Sequence, residues 1–157
     1  MGNCVSNNKS SKKDIIVKQT NGIEPISYVD KKNNKHLICD DAYTNRLVLK
    51  KYLVRFGCEV DEAENGEDAI NKVKLNGEYS TIWMDIKMPK MDGLDCTKYL
   101  RNIMEYNGAI IGLTGYVDDI TINKCLLVGM NRVIAKPFDI KIIEMHIEDI
   151  KKLNNKN

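Results

Sequence analysis

A short apolar run that ends abruptly in a carboxylate is the feature that most constrains the fold of this chain. The run 80–84 leads directly into Asp85, and the loop behind it is punctuated by Pro89 and Gly93. This pattern is typical of a buried strand that opens to solvent at its carboxyl end. In an open α/β sheet, ligands bind at that end. Asp85 is therefore either a solvated or helix-capping residue, or a nucleophile or metal ligand.

Four more short apolar runs are separated by segments with helical periodicity. They cover residues 37–39, 58–63, 109–113 and 133–135. The first predicted helix starts at Thr44 or Asn45 and ends at Gly57, and the last one follows Asp139 as its N-cap. Alternating strands and helices indicate βαβ units, and therefore a parallel sheet covered by helices on both faces.

Polar residues stand at four of the predicted strand ends. They are Asp40 and Asp41, Asp85, Thr114 and Lys136. Because parallel strands place their carboxyl ends on one side of the sheet, we expect these side chains to converge there. Three crowded carboxylates repel one another unless a cation intervenes. An all-oxygen site of this kind suits Mg²⁺.

The same residue types fit a phosphoryl transfer. A carboxylate oxygen of Asp85 is able to attack a phosphoryl donor and form an acyl phosphate. Lys136 would place a positive charge on the oxygens of the transferred group, and the Thr114 hydroxyl would offer them a hydrogen bond. Taken singly, each residue is better explained as a cap, a core residue or a surface lysine, but their joint position at the strand ends favours the chemical interpretation.

These residues carry a family resemblance. They are Asp40-Asp41, Asn45-Arg46, residues 84–93, Leu113-Thr114-Gly115, Gly129-Met130 and Lys136-Pro137-Phe138. Residues 35–153 resemble the receiver domain of two-component response regulators, especially the receivers of hybrid histidine kinases. The resemblance implies a flavodoxin-like (βα)5 fold in one domain, with a doubly wound parallel sheet of strand order 2-1-3-4-5.

The resemblance also implies a role for each site residue. Asp85 would be the phosphoacceptor, and Thr114 and Lys136 would hold the phosphoryl group. Mg²⁺ would be bound directly by Asp41, Asp85 and the backbone carbonyl of Lys87, and by Asp40 largely through water. The phosphoryl donor would be a histidine kinase or a histidine phosphotransfer protein. The chain would then be a stand-alone phosphoacceptor with self-catalysed phosphotransfer and autodephosphorylation, and not a conventional enzyme.

Two positions depart from the receiver pattern. Val133 stands where receivers usually have a tyrosine or phenylalanine, three positions before Lys136, and Ala42 replaces a frequent asparagine. Lys87 and Tyr116 occupy the positions that flank the water attacking the acyl phosphate. We expect the bulk of Tyr116 to lengthen the life of the phosphoryl group.

The N-terminal arm, residues 1–34, differs in composition from the rest of the chain. It has six lysines and three acids, so it carries +3, and its low periodicity predicts a flexible tether. Gly2 and Ser6 match a myristoylation signal, Cys4 is a candidate palmitoylation site, and Lys9, Lys12 and Lys13 follow. These signals predict a lipidated arm at the cytoplasmic face of a membrane in a eukaryotic cell, for a protein encoded by the cell or by a virus.

The charge and cysteine patterns of the whole chain argue against other functions. No general basic excess supports nucleic-acid binding. The five cysteines are an odd count with no Cys-x-x-Cys pair and no nearby histidine cluster, which favours a reducing compartment. Residues 154–157 are predicted to be a polar tail.

Two alternatives to a phosphorylated receiver are a pseudo-receiver that acts as an interaction scaffold and a phosphohydrolase of the haloacid dehalogenase type. The latter would need a second aspartate two residues after Asp85, where Lys87 stands.

Overall fold

The computed structural model describes residues 34–155, which form five strands and five helices in alternation. In chain order they are β1 (Lys35–Cys39), α1 (Tyr43–Arg55), β2 (Glu59–Ala63), α2 (Gly66–Asn76), β3 (Thr81–Asp85), α3 (Gly93–Asn102), β4 (Ala109–Thr114), α4 (Asp119–Leu127), β5 (Arg132–Ala135) and α5 (Ile140–Asn155).

All strand pairs are parallel, and the strand order is 2-1-3-4-5, so the predicted flavodoxin-like (βα)5 fold is confirmed. The register aligns the carboxyl ends of the strands. Cys39, the last residue of β1, pairs with Met84, and Asp85 pairs with Leu113. The polar residues that follow or end the strands therefore meet at one edge of the sheet.

Two apolar clusters cover the two faces of the sheet, because neighbouring strand residues point to opposite sides. On the face of α1 and α5, the buried residues include Ile38, Leu49, Leu53, Trp83, Leu113, Ile143 and Ile147. On the face of α2, α3 and α4, they include Leu37, Cys39, Ile70, Met84, Leu100, Ile110 and Ile122. All four cysteines in the described part of the chain are buried.

Local hydrogen bonds determine where the helices begin. The side chains of Asn65, Asp92 and Asp118 accept hydrogen bonds from the backbone of the first turns of α2, α3 and α4. Helix α1 starts at Tyr43, before the predicted start at Thr44 or Asn45, with Ala42 at the N-cap and no side-chain cap. Helix α5 continues through Asn155, two residues beyond the predicted end of the receiver domain.

The predicted lipid sites Gly2 and Cys4, and nearly all of the basic arm, lie outside the described residues. Between residues 34 and 155, no helix is both long enough and apolar enough to span a bilayer.

Candidate functional site

Three aspartates meet at the carboxyl edge of the sheet. Asp40 follows β1 and Asp85 ends β3, and both are buried, whereas Asp41 is exposed. One oxygen from each carboxylate lies within 4.8 Å of the oxygens of the other two. The convergence predicted for these residues is therefore present in the structure.

Lys136 lies between the two buried acids. Its Nζ is 2.6 Å from Oδ2 of Asp40 and 3.0 Å from Oδ2 of Asp85. Burial lowers the pKa of Lys136, but its hydrogen bonds to Asp40 and Asp85 outweigh that effect and the net pKa is raised. The ammonium is therefore held in its charged form, as a neutralising group for two carboxylates.

Asp85 is a carboxylate that its surroundings partly destabilise. Burial raises its pKa, and repulsion from Asp40 raises it further. Hydrogen bonds from Lys136 and from the backbone N–H of Lys87, at 3.3 Å from Oδ1, only partly oppose these effects. A second cation near Asp85 would relieve this repulsion.

Ala42, at the N-cap of α1, and two residues of the helix itself also hold Asp40. The Asn45 side chain donates to both Asp40 oxygens, at 3.1 and 3.2 Å, and the Ala42 N–H donates to Oδ1 at 2.9 Å. The Arg46 guanidinium donates to the backbone carbonyl of Asp40 at 2.8 Å. The sequence comparison with receivers singled out Asn45 and Arg46 but assigned them no role. The signal that the sequence offered for their role was their position, five and six residues after Asp40 in the first turn of the next helix.

The loop between β3 and α3 closes tightly around Asp85. The Gly93 N–H donates to the carbonyl of Ile86 at 3.0 Å. A Cβ atom at Gly93 would lie 2.1 Å from the carbonyl oxygen of Asp85, so only glycine fits there. In front of the loop is an open cleft of about 480 Å³, lined by Asp41, Ile86, Lys87, Met88, Pro89, Asp92 and Leu94. Asp41 is therefore reachable from solvent.

Thr114 ends β4 at the same edge, but its hydroxyl is engaged locally. Oγ1 donates to the carbonyl of Tyr116 at 2.9 Å and accepts from the Tyr116 N–H at 3.1 Å. The Tyr116 side chain is 67% exposed. Val133 is buried in the cluster that contains Ile122 and Met130, so the position of the usual receiver aromatic is filled by an aliphatic side chain.

The donor set fits a magnesium ion. Mg²⁺ binds carboxylate oxygens and retains several waters. Asp41 is exposed and lines the open cleft, and one of its oxygens lies within 4.8 Å of an oxygen of Asp85, so carboxylate oxygens and water are available together. The buried Asp40 carboxylate already accepts hydrogen bonds from Asn45 and Lys136. This agrees with a contact between Asp40 and the metal that runs through water.

The comparisons with known proteins identify the family. The sequence profile described as response regulator receiver domain matches residues 36–148. The chain belongs to the response regulator receiver family. This receiver is 41% identical over 108 residues to the osmosensing histidine protein kinase SLN1 of Saccharomyces cerevisiae, and the match covers 66% of this chain and 9% of that kinase. The similarity to receivers carried by hybrid histidine kinases is thereby confirmed.

Solved structures show the same fold. A two-component response regulator from Clostridium difficile has a TM-score of 0.71 and 29% identity to this receiver, and the match covers 78% of this chain and 98% of that one. The chain in the CheX–CheY–BeF3–Mg²⁺ complex from Borrelia burgdorferi has a TM-score of 0.69 and 26% identity, with 74% of this chain and 87% of that one covered.

Proposed function

We propose that this receiver accepts a phosphoryl group on Asp85 from a phosphohistidine of a histidine kinase or histidine phosphotransfer protein. The observation that carries the proposal is the cluster of Asp40, Asp41 and Asp85, with Lys136 bound to its two buried members. In such a cluster, a nucleophilic carboxylate, a cation site and a fixed positive charge occupy one edge of the sheet.

Each residue has a part in the proposed transfer. An oxygen of Asp85 attacks the phosphorus, the P–N bond to the imidazole breaks, and the imidazole nitrogen leaves with its electron pair. Asp40, Asp41, Asp85 and the carbonyl of Lys87 would hold Mg²⁺, which when bound neutralises charge on the phosphoryl oxygens. Lys136 then turns from Asp40 toward these oxygens, and Thr114 releases the Tyr116 carbonyl to donate to them.

Two names among the similar proteins agree with this proposal. SLN1 is a histidine protein kinase, and the Borrelia complex contains both Mg²⁺ and BeF3. For this chain, the phosphohistidine donor and the metal are both inferred from the chemistry that its own residues are able to perform.

An interaction scaffold without phosphorylation is the second candidate. It is favoured by one observation, namely that Val133 occupies the buried position where an aromatic would couple the site to the surface. The contact between Asp85 and Lys136 favours phosphorylation. Burial raises the pKa of the Asp85 carboxyl group, and a scaffold has no need for a buried carboxylate of this kind.

Incubation of the full chain with Mg²⁺ and phosphoramidate, followed by intact-mass measurement, separates the candidates. The receiver gains one phosphoryl group, and Asp85→Asn does not. A chain that binds Mg²⁺ yet gains no mass would be the scaffold. Steady hydrolysis of a phosphate ester in a parallel incubation would indicate a phosphohydrolase.

We further propose that myristoylation of Gly2 and palmitoylation of Cys4 tether the receiver to the cytoplasmic face of a membrane. The support is the sequence of the arm, because a single acyl chain binds weakly and needs a second signal such as a second chain or lysines. Expression in eukaryotic cells with a tagged myristate analogue is expected to label the wild type and not Gly2→Ala. An unlabelled wild type would refute the tether.

A further inference from the structure

We propose that Arg46 is a positioning residue, which holds the backbone of Asp40 and Asp41 in the conformation that binds magnesium. The proposal rests on the magnesium site of the proposed function, and it gives a role to a buried charge outside the acid cluster itself.

The Arg46 guanidinium is enclosed and binds groups on two sides. Its side chain is 8% exposed. Nη1 donates to the carbonyl of Asp40 at 2.8 Å and approaches the carbonyl of Asp41 at 3.5 Å. A buried charge is costly unless it is paired and hydrogen-bonded. The carbonyls of the acid pair are therefore part of what keeps this side chain in place.

Two glutamates hold the other edge of the guanidinium. Nε donates to Glu62 at 3.3 Å and Nη2 donates to Glu64 at 3.2 Å. Glu62 belongs to β2, a strand that pairs only with β1 in the described sheet, so Arg46 connects the loop after β1 to the neighbouring strand. The planar fork of arginine is suited to this arrangement, because it donates in several fixed directions at once.

Asp41 depends most on this support. Asp40 is fixed through its carboxylate by Asn45, Ala42 and Lys136. The Asp41 carboxylate is exposed, and no other residue in 34–155 donates a hydrogen bond to it. Its direction is therefore set by its backbone. That backbone enters α1 through Ala42, which provides no side-chain cap, so the Arg46 contacts supply the fixation that a capping side chain would otherwise give.

A purely structural role would make Arg46 only an ion pair between α1 and β2. Lys50 offers the matched control, because it lies one turn further along α1 and binds Glu62 at 2.6 Å without contacting the acid pair. Loss of Lys50 removes an α1–β2 ion pair, whereas loss of Arg46 also releases the carbonyls of Asp40 and Asp41.

The test is titration calorimetry of Mg²⁺ into the full chain after removal of metal, for the wild type, Arg46→Met, Arg46→Lys and Lys50→Met. Circular dichroism in EDTA establishes that each variant is folded. Loss of an outer contact to a metal ligand weakens metal binding by about tenfold or more, so we expect this increase in Kd for Arg46→Met. Arg46→Lys keeps the charge but not the fork, so its Kd is expected to lie between those of the wild type and Arg46→Met.

We expect Lys50→Met to bind Mg²⁺ like the wild type. A folded Arg46→Met with the wild-type Kd, or a Lys50→Met that weakens binding equally, overturns the proposal. Should Arg46→Met not fold, Arg46→Lys decides: an unchanged Kd overturns the proposal and a raised one supports it. A wild type that binds Mg²⁺ but is not phosphorylated refutes the proposed function alone, and a wild type that binds no Mg²⁺ refutes the role of Arg46.

Discussion

Lys136 lies 2.6 Å from Asp40, a residue 96 positions earlier in the chain, and this contact is shorter than the one between Lys136 and Asp85. One ammonium thus neutralises two buried carboxylates and connects the end of β5 to the ends of β1 and β3. The contact also defines what a phosphoryl group on Asp85 has to change, because its oxygens would compete with Asp40 for the same cation.

Lys136→Met is expected to destabilise the metal-free protein. Removal of one partner from a buried ion pair leaves an uncompensated charge, which costs about 3 kcal/mol in the free energy of unfolding. Mg²⁺ is expected to restore more stability to this variant than it adds to the wild type, since it replaces the missing positive charge. Urea unfolding in EDTA and in Mg²⁺ measures both effects. A loss no larger than that in Lys98→Met, which removes an exposed ion pair with Asp95, would contradict the account.

Gly93→Ala is expected to distort the loop that carries the acid site. The added Cβ would lie 2.1 Å from the carbonyl oxygen of Asp85, and backbone has to move to admit it. Overpacking of this kind costs about 2 kcal/mol or more in the free energy of unfolding. Gly115→Ala is the control, because a Cβ at that position meets no atom within 4 Å. Equal thermal unfolding temperatures for the two variants would show that the close contact at Gly93 has no effect.

Two buried histidines are expected to make the folded protein less stable in acid. Burial lowers the pKa of His36 to about 4 and, with the charges of Arg132 and His36, that of His146 to about 3. The unfolded chain takes up these protons near pH 6.5, so below that pH it binds more protons than the folded chain, and stability falls between pH 6.5 and about 4. Each histidine contributes about 1.4 kcal/mol per pH unit in this range.

The measurement is urea unfolding of the wild type and His146→Leu between pH 7 and about 4.5. We expect the free energy of unfolding to fall less steeply with decreasing pH in the variant, because the proton uptake of one histidine has been removed. Parallel curves would mean that His146 does not carry the acid sensitivity.

Several features followed from the sequence alone, and others depended on tertiary contacts. The convergence of Asp40, Asp85 and Lys136 followed from the apolar runs and the polar residues at their ends, and the strand order followed from the receiver resemblance. The support of Asp40 by Arg46 did not, because it depends on which face of α1 meets β2, and α1 has apolar residues on both its buried and its exposed face.

The contacts of the two histidines also could not be predicted from the sequence. His36 and His146 are isolated in the sequence, and both are packing residues in the structure. Both are buried against Trp83, whose Nε1 donates to Nδ1 of His36 at 3.3 Å, while His146 packs edge-on with 5.1 Å between ring centroids. Apolar periodicity does not reveal such contacts, because they join residues from different strands and from α5.

Tyr116→Ala is expected to shorten the life of the phosphorylated receiver. The wild-type side chain is exposed, and its backbone is bound to the Thr114 hydroxyl at the site, so we expect its bulk to hinder the attacking water. Loss of the phosphoryl group after removal of the donor is followed by intact mass over time. Slower loss from the alanine variant than from the wild type would contradict the expectation.

The most direct test is to locate the phosphoryl group. The full chain is phosphorylated by a phosphohistidine donor protein in Mg²⁺, the acyl phosphate is reduced with borohydride, and the resulting homoserine is mapped by peptide mass spectrometry. The account predicts homoserine at position 85, none at positions 40 or 41, and none anywhere in Asp85→Asn. Homoserine at another aspartate, or a wild type without homoserine, would contradict it.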